Sequence, residues 1–271
     1  MPASNPRALE KALQLPCDGV ILDLEDSVAP ESKAAARAAA AEAIDRGFGG
    51  REVVLRCNSR DTPWAQDDLL TAAGAGPDAV LAPKVRKPED VLAYDAALQG
   101  APERTRLWVM IETPAAVLNL REIAALSATT RLGGLVVGLN DLALELGARP
   151  ATGRAAMLPV LSQTVVAARA HGLLAFDGTF NGIDDGAGLA AECRQAVELG
   201  FDGKTLIHPS QIGPCNAAFS PAPAEVDWAR KVVDAFAAPD AAGKGALRLE
   251  GRMVERLHLK EAERTLRLAE L

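Results

Sequence analysis

Seven short apolar runs recur along this chain, near residues 20, 54, 80, 109, 136, 175 and 205, and a helical pattern lies between successive runs. Runs of four to six aliphatic residues read as strands buried on both faces. Joined by helices through short connections, they imply parallel strands with crossover helices. The strands are expected at 19–24, 52–57, 79–82, 107–111, 135–138, 173–176 and 203–207. The helices are expected at 7–15, 30–46, 64–75, from Pro88, 157–171 and 187–199. A closed barrel of this kind has eight strands. The eighth would precede Met1, so either residues 1–3 are the stub of a shortened first strand or the polypeptide begins upstream. The rival, an open doubly wound sheet, ranks lower because its Gly-rich first turn (GxGxxG) is absent. The expectation is a TIM (β/α)8 barrel with a shortened or missing first strand over residues 1–220. From Pro221 the rhythm changes: helix at 222–237, a loop at 239–245, a short strand at 246–249 and helix at 260–271 read as a C-terminal arm or lid.

Several strands end abruptly in a charged residue, which places charge at the carboxyl edge of a parallel sheet, where enzymes of this class build their sites. Leu107-Trp-Val-Met-Ile-Glu112 and Leu135-Val-Val-Gly-Leu-Asn-Asp141 both do so. Two acids from neighbouring strands repel unless a cation lies between them. Two carboxylates with waters suit magnesium, a hard octahedral ion that takes few protein ligands. The alternative is that each acid caps the helix it precedes, which fits Asp141 better than Glu112.

Arg56 closes its strand as Arg-Cys-Asn58. Its planar fork suits a substrate carboxylate or a developing enolate, or a salt bridge to Glu25 or Asp26 at the neighbouring strand end. Alternation aims Glu25 and Asp26 to opposite faces; Asp26 could accept from a metal-bound water and Glu25 could orient Arg56. Lys84, after Ala-Pro, is a substrate contact or a rim charge. His208 reads as a loop anchor, and His171 and His258 as solvent-facing. A formal charge of −7 argues against nucleic acid or an anionic membrane as main partner. The four cysteines lack CxxC spacing and read as reduced buried thiols. No apolar run approaches the ~20 residues of a membrane span, and a cytoplasmic protein is expected.

Taken together, Pro2-Ala-Ser-Asn-Pro-Arg7, Leu22-Asp-Leu-Glu-Asp-Ser-Val28, Arg56-Cys-Asn58, Ala82-Pro-Lys84, Ile111-Glu-Thr-Pro114, Gly138-Leu-Asn-Asp141 and Ile207-His-Pro-Ser-Gln211 resemble the citrate lyase beta-subunit-like family. It lies within the HpcH/HpaI aldolase/citrate lyase superfamily, beside the malyl-CoA and citramalyl-CoA lyases. The resemblance runs the length of the chain. It implies Mg2+ held by Glu112 and Asp141, Arg56 on the substrate, and an arm that reaches a neighbouring subunit in a trimer or hexamer. In such lyases the arm carries a catalytic Asp in a Gly-x-Met-Ile-Asp context, and the matching stretch here is Gly251-Arg-Met-Val-Glu255. The acid is one methylene longer, which makes Glu255 the counterpart.

The implied reaction splits a 3-hydroxy-acyl thioester of the citryl, malyl or citramalyl type into an α-keto acid and an acyl thioester. Gly138, Leu139 and Asn140 would offer backbone N–H groups to the keto acid's carboxylate. Arg7, Lys11, Arg37, Arg86 and Lys87 are candidates for the phosphates of CoA or of an acyl carrier. Two alternatives stand: a metal-dependent aldolase acting on free pyruvate or oxaloacetate adducts, and a non-catalytic barrel that binds CoA or keto acids, with lyase alpha and gamma subunits as possible partners.

Overall fold

A computed structural model of the 271-residue chain describes residues 1–149 and 153–270. Seven strands, β1 (Gly19–Asp23), β2 (Glu52–Arg56), β3 (Ala79–Ala82), β4 (Arg106–Ile111), β5 (Leu132–Val137), β6 (Leu174–Asp177) and β7 (Gly203–Lys204), form one sheet in sequential order. Every pairing in it is parallel. A doubly wound sheet reverses its strand order at a switch point; this one never does. Residues 1–3 extend the sheet beyond β1. Pro2 bridges Asp23 in parallel, Ala3 N–H donates to the Asp23 carbonyl at 3.0 Å, and Asp23 N–H donates to the Met1 carbonyl at 2.9 Å.

Two strand limits differ from those expected by three residues, for physical reasons, and the others by one at most. β5 begins three residues early, through Gly133 and Gly134. A Cβ on Gly134 would lie 3.0–3.2 Å from the Trp108 ring, so the glycine makes room for the indole. β7 is shorter than expected because the Ile207 and His208 N–H groups turn to Gln211 Oε1, at 3.0 and 3.3 Å, instead of continuing the ladder.

The helices of this part are α1 (Pro6–Ala12), α2 (Lys33–Arg46), α3 (Ala65–Ala75), α4 (Pro88–Ala97), α5 (Pro114–Leu118), α6 (Leu120–Ala125), α7 (Leu139–Leu146), α8 (Leu158–Ala170), α9 (Gly186–Leu199) and α10 (Ile212–Phe219). Their starts are encoded locally. Asn5 accepts from Ala8 N–H ahead of α1, Thr113 from Ala116 N–H ahead of α5, and Asp185 from Gly188 N–H ahead of α9, with Pro6 and Pro114 in first turns. Pro30–Ser32 is a 3-10 turn leading into α2, not part of that helix.

Side chains alternate across each strand. On one face Val54, Ala79, Leu81, Trp108, Met110 and Val136 pack into a single apolar cluster with Ile21 and Phe176. Trp108 and Phe176 stack at 4.6 Å between centroids. Continuing this parity one step towards the carboxyl ends gives Asp23, Arg56, Glu112, Gly138 and Gly178. The apolar cluster is therefore the floor beneath a charged rim.

The chain divides into two compact units, Met1–Cys215 and Asn216–Leu271. The second contains α11 (Pro223–Ala237), α12 (Arg256–Ala269) and a hairpin of β8 (Ala246–Leu249) with β9 (Arg252–Glu255). Its core is Ala229, Val232, Phe236, Val254 and Ala262. β9 was not expected. The two-residue turn Glu250-Gly251 has positive φ at both positions (46° and 81°), as a type I′ hairpin requires, with Glu in a place usually held by Asn or Asp. α12 starts four residues before the expected 260, at the end of the hairpin. No helix among the described residues is long and apolar enough to cross a membrane.

Candidate active site at the carboxyl edge of the sheet

Asp23 and Arg56 are register partners across β1 and β2. The guanidinium closes on both carboxylate oxygens, Nε to Oδ1 at 2.6 Å and Nη2 to Oδ2 at 2.7 Å. Asp23 also accepts from Glu25 N–H at 2.9 Å, from Ser27 N–H at 3.2 Å and from the Ser27 hydroxyl. Burial works against its charge, yet the Arg56 and Ser27 bonds hold its carboxyl down at about 2. The same pair raises Arg56 above the ordinary arginine value although burial opposes it. The remaining nitrogen, Nη1, lies 3.9 Å from Met110 Sδ, 3.0 Å from Glu25 Oε2 and 3.7 Å from Asp26 Oδ2.

Beneath this clamp, the Lys33 ammonium bonds the carbonyls of Leu24 and Glu25, both at 2.8 Å, and Asn58 Oδ1 at 2.7 Å. Asn58 and Arg37 share Asp68, at 2.6 and 2.7 Å. These buried groups fix the turn that carries Glu25.

Glu112 follows β4 and is fully buried. Its Oε1 accepts the Lys84 N–H at 2.7 Å and lies 3.6 Å from Lys84 Nζ, while Oε2 has no hydrogen-bond partner. Gly138 makes this placement possible: a Cβ there would stand 2.5 Å from Glu112 Cβ and 2.6 Å from Oε2. Asp141, in the first turn of α7, receives Lys84 Nζ at 2.6 Å. Lys84 has φ 53°, a left-handed conformation that aims both its N–H and its ammonium at the acids.

The acids outnumber the bases. Burial pushes Glu112 up to about 7, Asp141 adding to the effect and Lys84 opposing it. Burial pushes Glu25 up to about 8, with Asp26 and Glu112 adding and Arg56 opposing. Glu25 Oε2 sits beside Arg56 but off its N–H axis, and so carries no hydrogen bond. One ammonium cannot neutralise Glu112, Asp141 and Glu25 together. A divalent ion fits this set: an orphaned buried carboxylate oxygen, a glycine cradle and a second acid within reach of the same ammonium. No group of three or more His, Cys, Asp or Glu side chains suited to a metal occurs among the described residues. A two-carboxylate site leaves most of the coordination to water or substrate, which is how Mg2+ is held.

Some expected residues are placed otherwise. Lys84 is not a bare rim charge: it is the ion-pair partner of both acids. Asp26 is 60% exposed at its side chain, in the turn after β1, while Glu25 is buried. Arg37 is engaged by Asp67 and Asp68 and is unavailable to a phosphate. Arg86 pairs with Asp61 on the surface, and Arg7, Lys11 and Lys87 are exposed. Leu139 is buried, and Asn140 is exposed and exchanges side-chain bonds with Asn181, at 2.7 and 3.4 Å. His208 anchors its loop through Ser210. His171 and His258 are half-buried, not solvent-facing, and His258 Nδ1 accepts the Glu255 N–H at 2.9 Å. Glu255 itself ends β9 in the second unit.

Asp23 is the residue the sequence reading passed over. In Leu22-Asp-Leu-Glu-Asp26 it shares the parity of Ile21 and Glu25, and that parity was the available signal. Asp177, at the end of β6, is saturated by Arg154 at 2.8 and 2.9 Å and by Lys204 at 2.7 Å, so it is a closed ion pair and not part of the open acid cluster.

The family HpcH/HpaI aldolase/citrate lyase matches residues 1–209. A (3S)-malyl-CoA thioesterase of Cereibacter sphaeroides is 45% identical over 273 residues, covering 100% of this chain and 93% of that protein. An L-malyl-CoA/beta-methylmalyl-CoA lyase of the same organism is 37% identical over 298 residues, with the same coverage. Among solved structures, CitE of Mycobacterium tuberculosis in complex with magnesium, acetoacetate and coenzyme A aligns with a TM-score of 0.80 at 33% identity, over 100% of this chain and 96% of that one. With a buried, glycine-cradled glutamate, an aspartate beside it and a clamped arginine on one sheet edge, and with relatives of this extent, the chain belongs to the HpcH/HpaI aldolase/citrate lyase family.

Proposed function

We propose that this chain is a Mg2+-dependent enzyme of malyl-type acyl-CoA thioesters, cleaving the carbon–carbon bond between the hydroxyl-bearing carbon and the thioester arm. The observation that carries the reading is Glu112, a fully buried carboxylate with one oxygen unpartnered beside Asp141. These two would hold the ion. When bound, Mg2+ would polarise the hydroxyl and carboxylate oxygens of the substrate.

The chain's own groups do the rest. The substrate hydroxyl passes its proton to the rim water that Asp26 holds, the carbon–carbon bond breaks, and its electron pair passes to the thioester as an enolate. Arg56, locked by Asp23 with Nη1 left over, meets that negative charge. Backbone N–H groups at Leu139 and Asn140, where α7 begins, receive the substrate carboxylate. Glu25 backs Arg56, Asp26 accepts from water at the rim, and Glu255 is the proposed acid that protonates the enolate carbon. The sheet is proposed to close as a (β/α)8 barrel with residues 1–3 in the first position. The second unit is proposed to act as an arm reaching another copy in a trimer or hexamer.

Hydrolysis of the same thioester is the second reading, favoured by the higher identity to the thioesterase than to the lyase. Incubation with (3S)-malyl-CoA and Mg2+ separates them. Carbon–carbon cleavage gives glyoxylate and acetyl-CoA, whereas hydrolysis gives malate and a free CoA thiol. Both should stop with EDTA and in Glu112→Ala. Turnover undiminished in Glu112→Ala, or no turnover of malyl-, citramalyl- or citryl-CoA, would refute the assignment.

A further inference from the structure

Three lysines project their ammonium groups at the carboxyl edge of the sheet, and among the described residues one of them is held by carboxylates alone. Lys33 is buried and held by three acceptors, two of them backbone carbonyls. Lys204 is buried between Asp177, the Gly178 carbonyl and Glu192. The Lys84 ammonium, among the described residues, meets carboxylates alone: Asp141 at 2.6 Å and Glu112 at 3.6 Å. Its side chain keeps 21% of its surface exposed. Its backbone, meanwhile, is fixed: the N–H donates to Glu112 Oε1, and φ is 53° in a residue with a side chain. A strained backbone that points a partly exposed cation at two acids implies a function for the cation.

We propose that Lys84 is a resident counter-cation, which holds Glu112 and Asp141 together while no ion is bound and is displaced from the pair when a divalent ion arrives. The proposal rests on the reading of Glu112 and Asp141 as the ion's ligands. The charge balance of the site calls for such a device. Arg56 is spent on Asp23 through two hydrogen bonds, so Lys84 is the one cation touching both Glu112 and Asp141 among the described residues. An ammonium and a dication compete for these two acids, since like charges a few ångströms apart repel. The Lys84 side chain is 21% exposed, and moving its ammonium away from the acids leaves in place the backbone N–H bond that orients Glu112. The metal-free site is thereby kept assembled at the cost of a weaker grip on the ion.

Titration of the purified full chain with MgCl2, by calorimetry and by thermal unfolding, tests this. Lys84→Met should bind Mg2+ about tenfold more tightly than wild type, because a competing charge is gone. Its metal-free melting temperature should be lower and its gain on adding Mg2+ larger. Lys84→Arg, which keeps the charge, should bind no more tightly than wild type. An equal or weaker Mg2+ affinity in folded Lys84→Met overturns the proposal. Should Lys84→Met not fold, amine labelling of wild type read by mass spectrometry decides: Lys84 should label faster with Mg2+ than without, and equal or slower labelling overturns it. If wild type and Glu112→Gln alike take up no Mg2+ at millimolar concentration, the ligand assignment itself has failed and the proposal falls with it; Mg2+ uptake by wild type with no gain in Lys84→Met rejects the counter-cation alone.

Discussion

Asp23 and Arg56 face one another in direct register across β1 and β2, and the guanidinium of one spans both oxygens of the other at 2.6 and 2.7 Å. Two parallel bonds fix the plane of the fork and leave Nη1 as the group aimed past Glu25 and Met110. A lysine in its place keeps the charge and loses the plane. Arg56→Lys is expected to lower stability by roughly 1–3 kcal/mol, as for hydrogen bonds to a buried charge, and to lower kcat/KM for malyl-CoA at least tenfold. Denaturant unfolding and steady-state kinetics check both; wild-type values in each would show that the clamp is dispensable.

The acids of the site respond to pH in opposite senses. Asp23 is held at about 2, below its ordinary 3.8. Its contribution of about 2 kcal/mol is therefore complete above pH 4 and is lost as pH falls towards 2. Glu112 and Glu25 are pushed from 4.5 to about 7 and about 8, so the folded state holds their protons more tightly than the unfolded one. Their effect is a stability that falls as pH rises from about 4.5 to 8. Unfolding free energy measured in EDTA should peak near pH 4–5. Asp23→Asn should flatten the acid limb and Glu112→Gln the alkaline limb. A metal-free protein whose stability rises steadily from pH 5 to 8 would contradict this.

Glu112→Gln keeps the shape of the buried side chain and removes the charge that burial resists. At pH 8 without Mg2+ it should be more stable than wild type by roughly 1–3 kcal/mol. Added Mg2+ should then stabilise wild type and leave the variant unchanged. Thermal shifts with and without 10 mM MgCl2, about the scale expected for a weakly held ion, provide the readout. A variant that is less stable in EDTA and still responds to Mg2+ would overturn the account of Glu112.

Gly138 tests the cradle without touching an acid. A methyl there would stand 2.5 Å from Glu112 Cβ, 2.6 Å from Oε2 and 3.1 Å from Met110 Cε, closer than carbon atoms pack. Gly138→Ala should cost roughly 1–3 kcal/mol through forced displacement of the glutamate and should weaken Mg2+ binding with both acids intact. Unchanged metal affinity would mean that Glu112 need not sit where it does.

Much of this arrangement was open to reading in the residues. Apolar runs ending in Arg56, Glu112 and, after a short step, Asp141 mark strands whose charged ends share one edge, because parallel strands all point the same way. What could not be read was register. Only the pairing of β1 with β2 shows that Asp23 clamps Arg56 from the register position, beside the expected contacts of Arg56 to Glu25 and Asp26 at 3.0 and 3.7 Å. The Lys84 bridge was hidden because a left-handed lysine has no sequence signal. Gly133-Gly134 obscured the start of β5, since glycine weakens a strand unless a neighbour such as Trp108 needs the space. β9 escaped because Glu250 does not announce a hairpin turn, and the end of β7 because Gln211 intercepts the backbone from a later turn.

Each ladder of the first unit joins strands that are neighbours in the chain, from β1 through β7. Such a sheet can be laid down in the direction of protein synthesis, every new strand docking on the one just made with only a single crossover to close. Arg56, Glu112 and Asp141 all belong to the earlier portion of that sequence of events. The nascent polypeptide can thus gather these three groups before the later helices are translated, and the acid proposed at Glu255 joins them last.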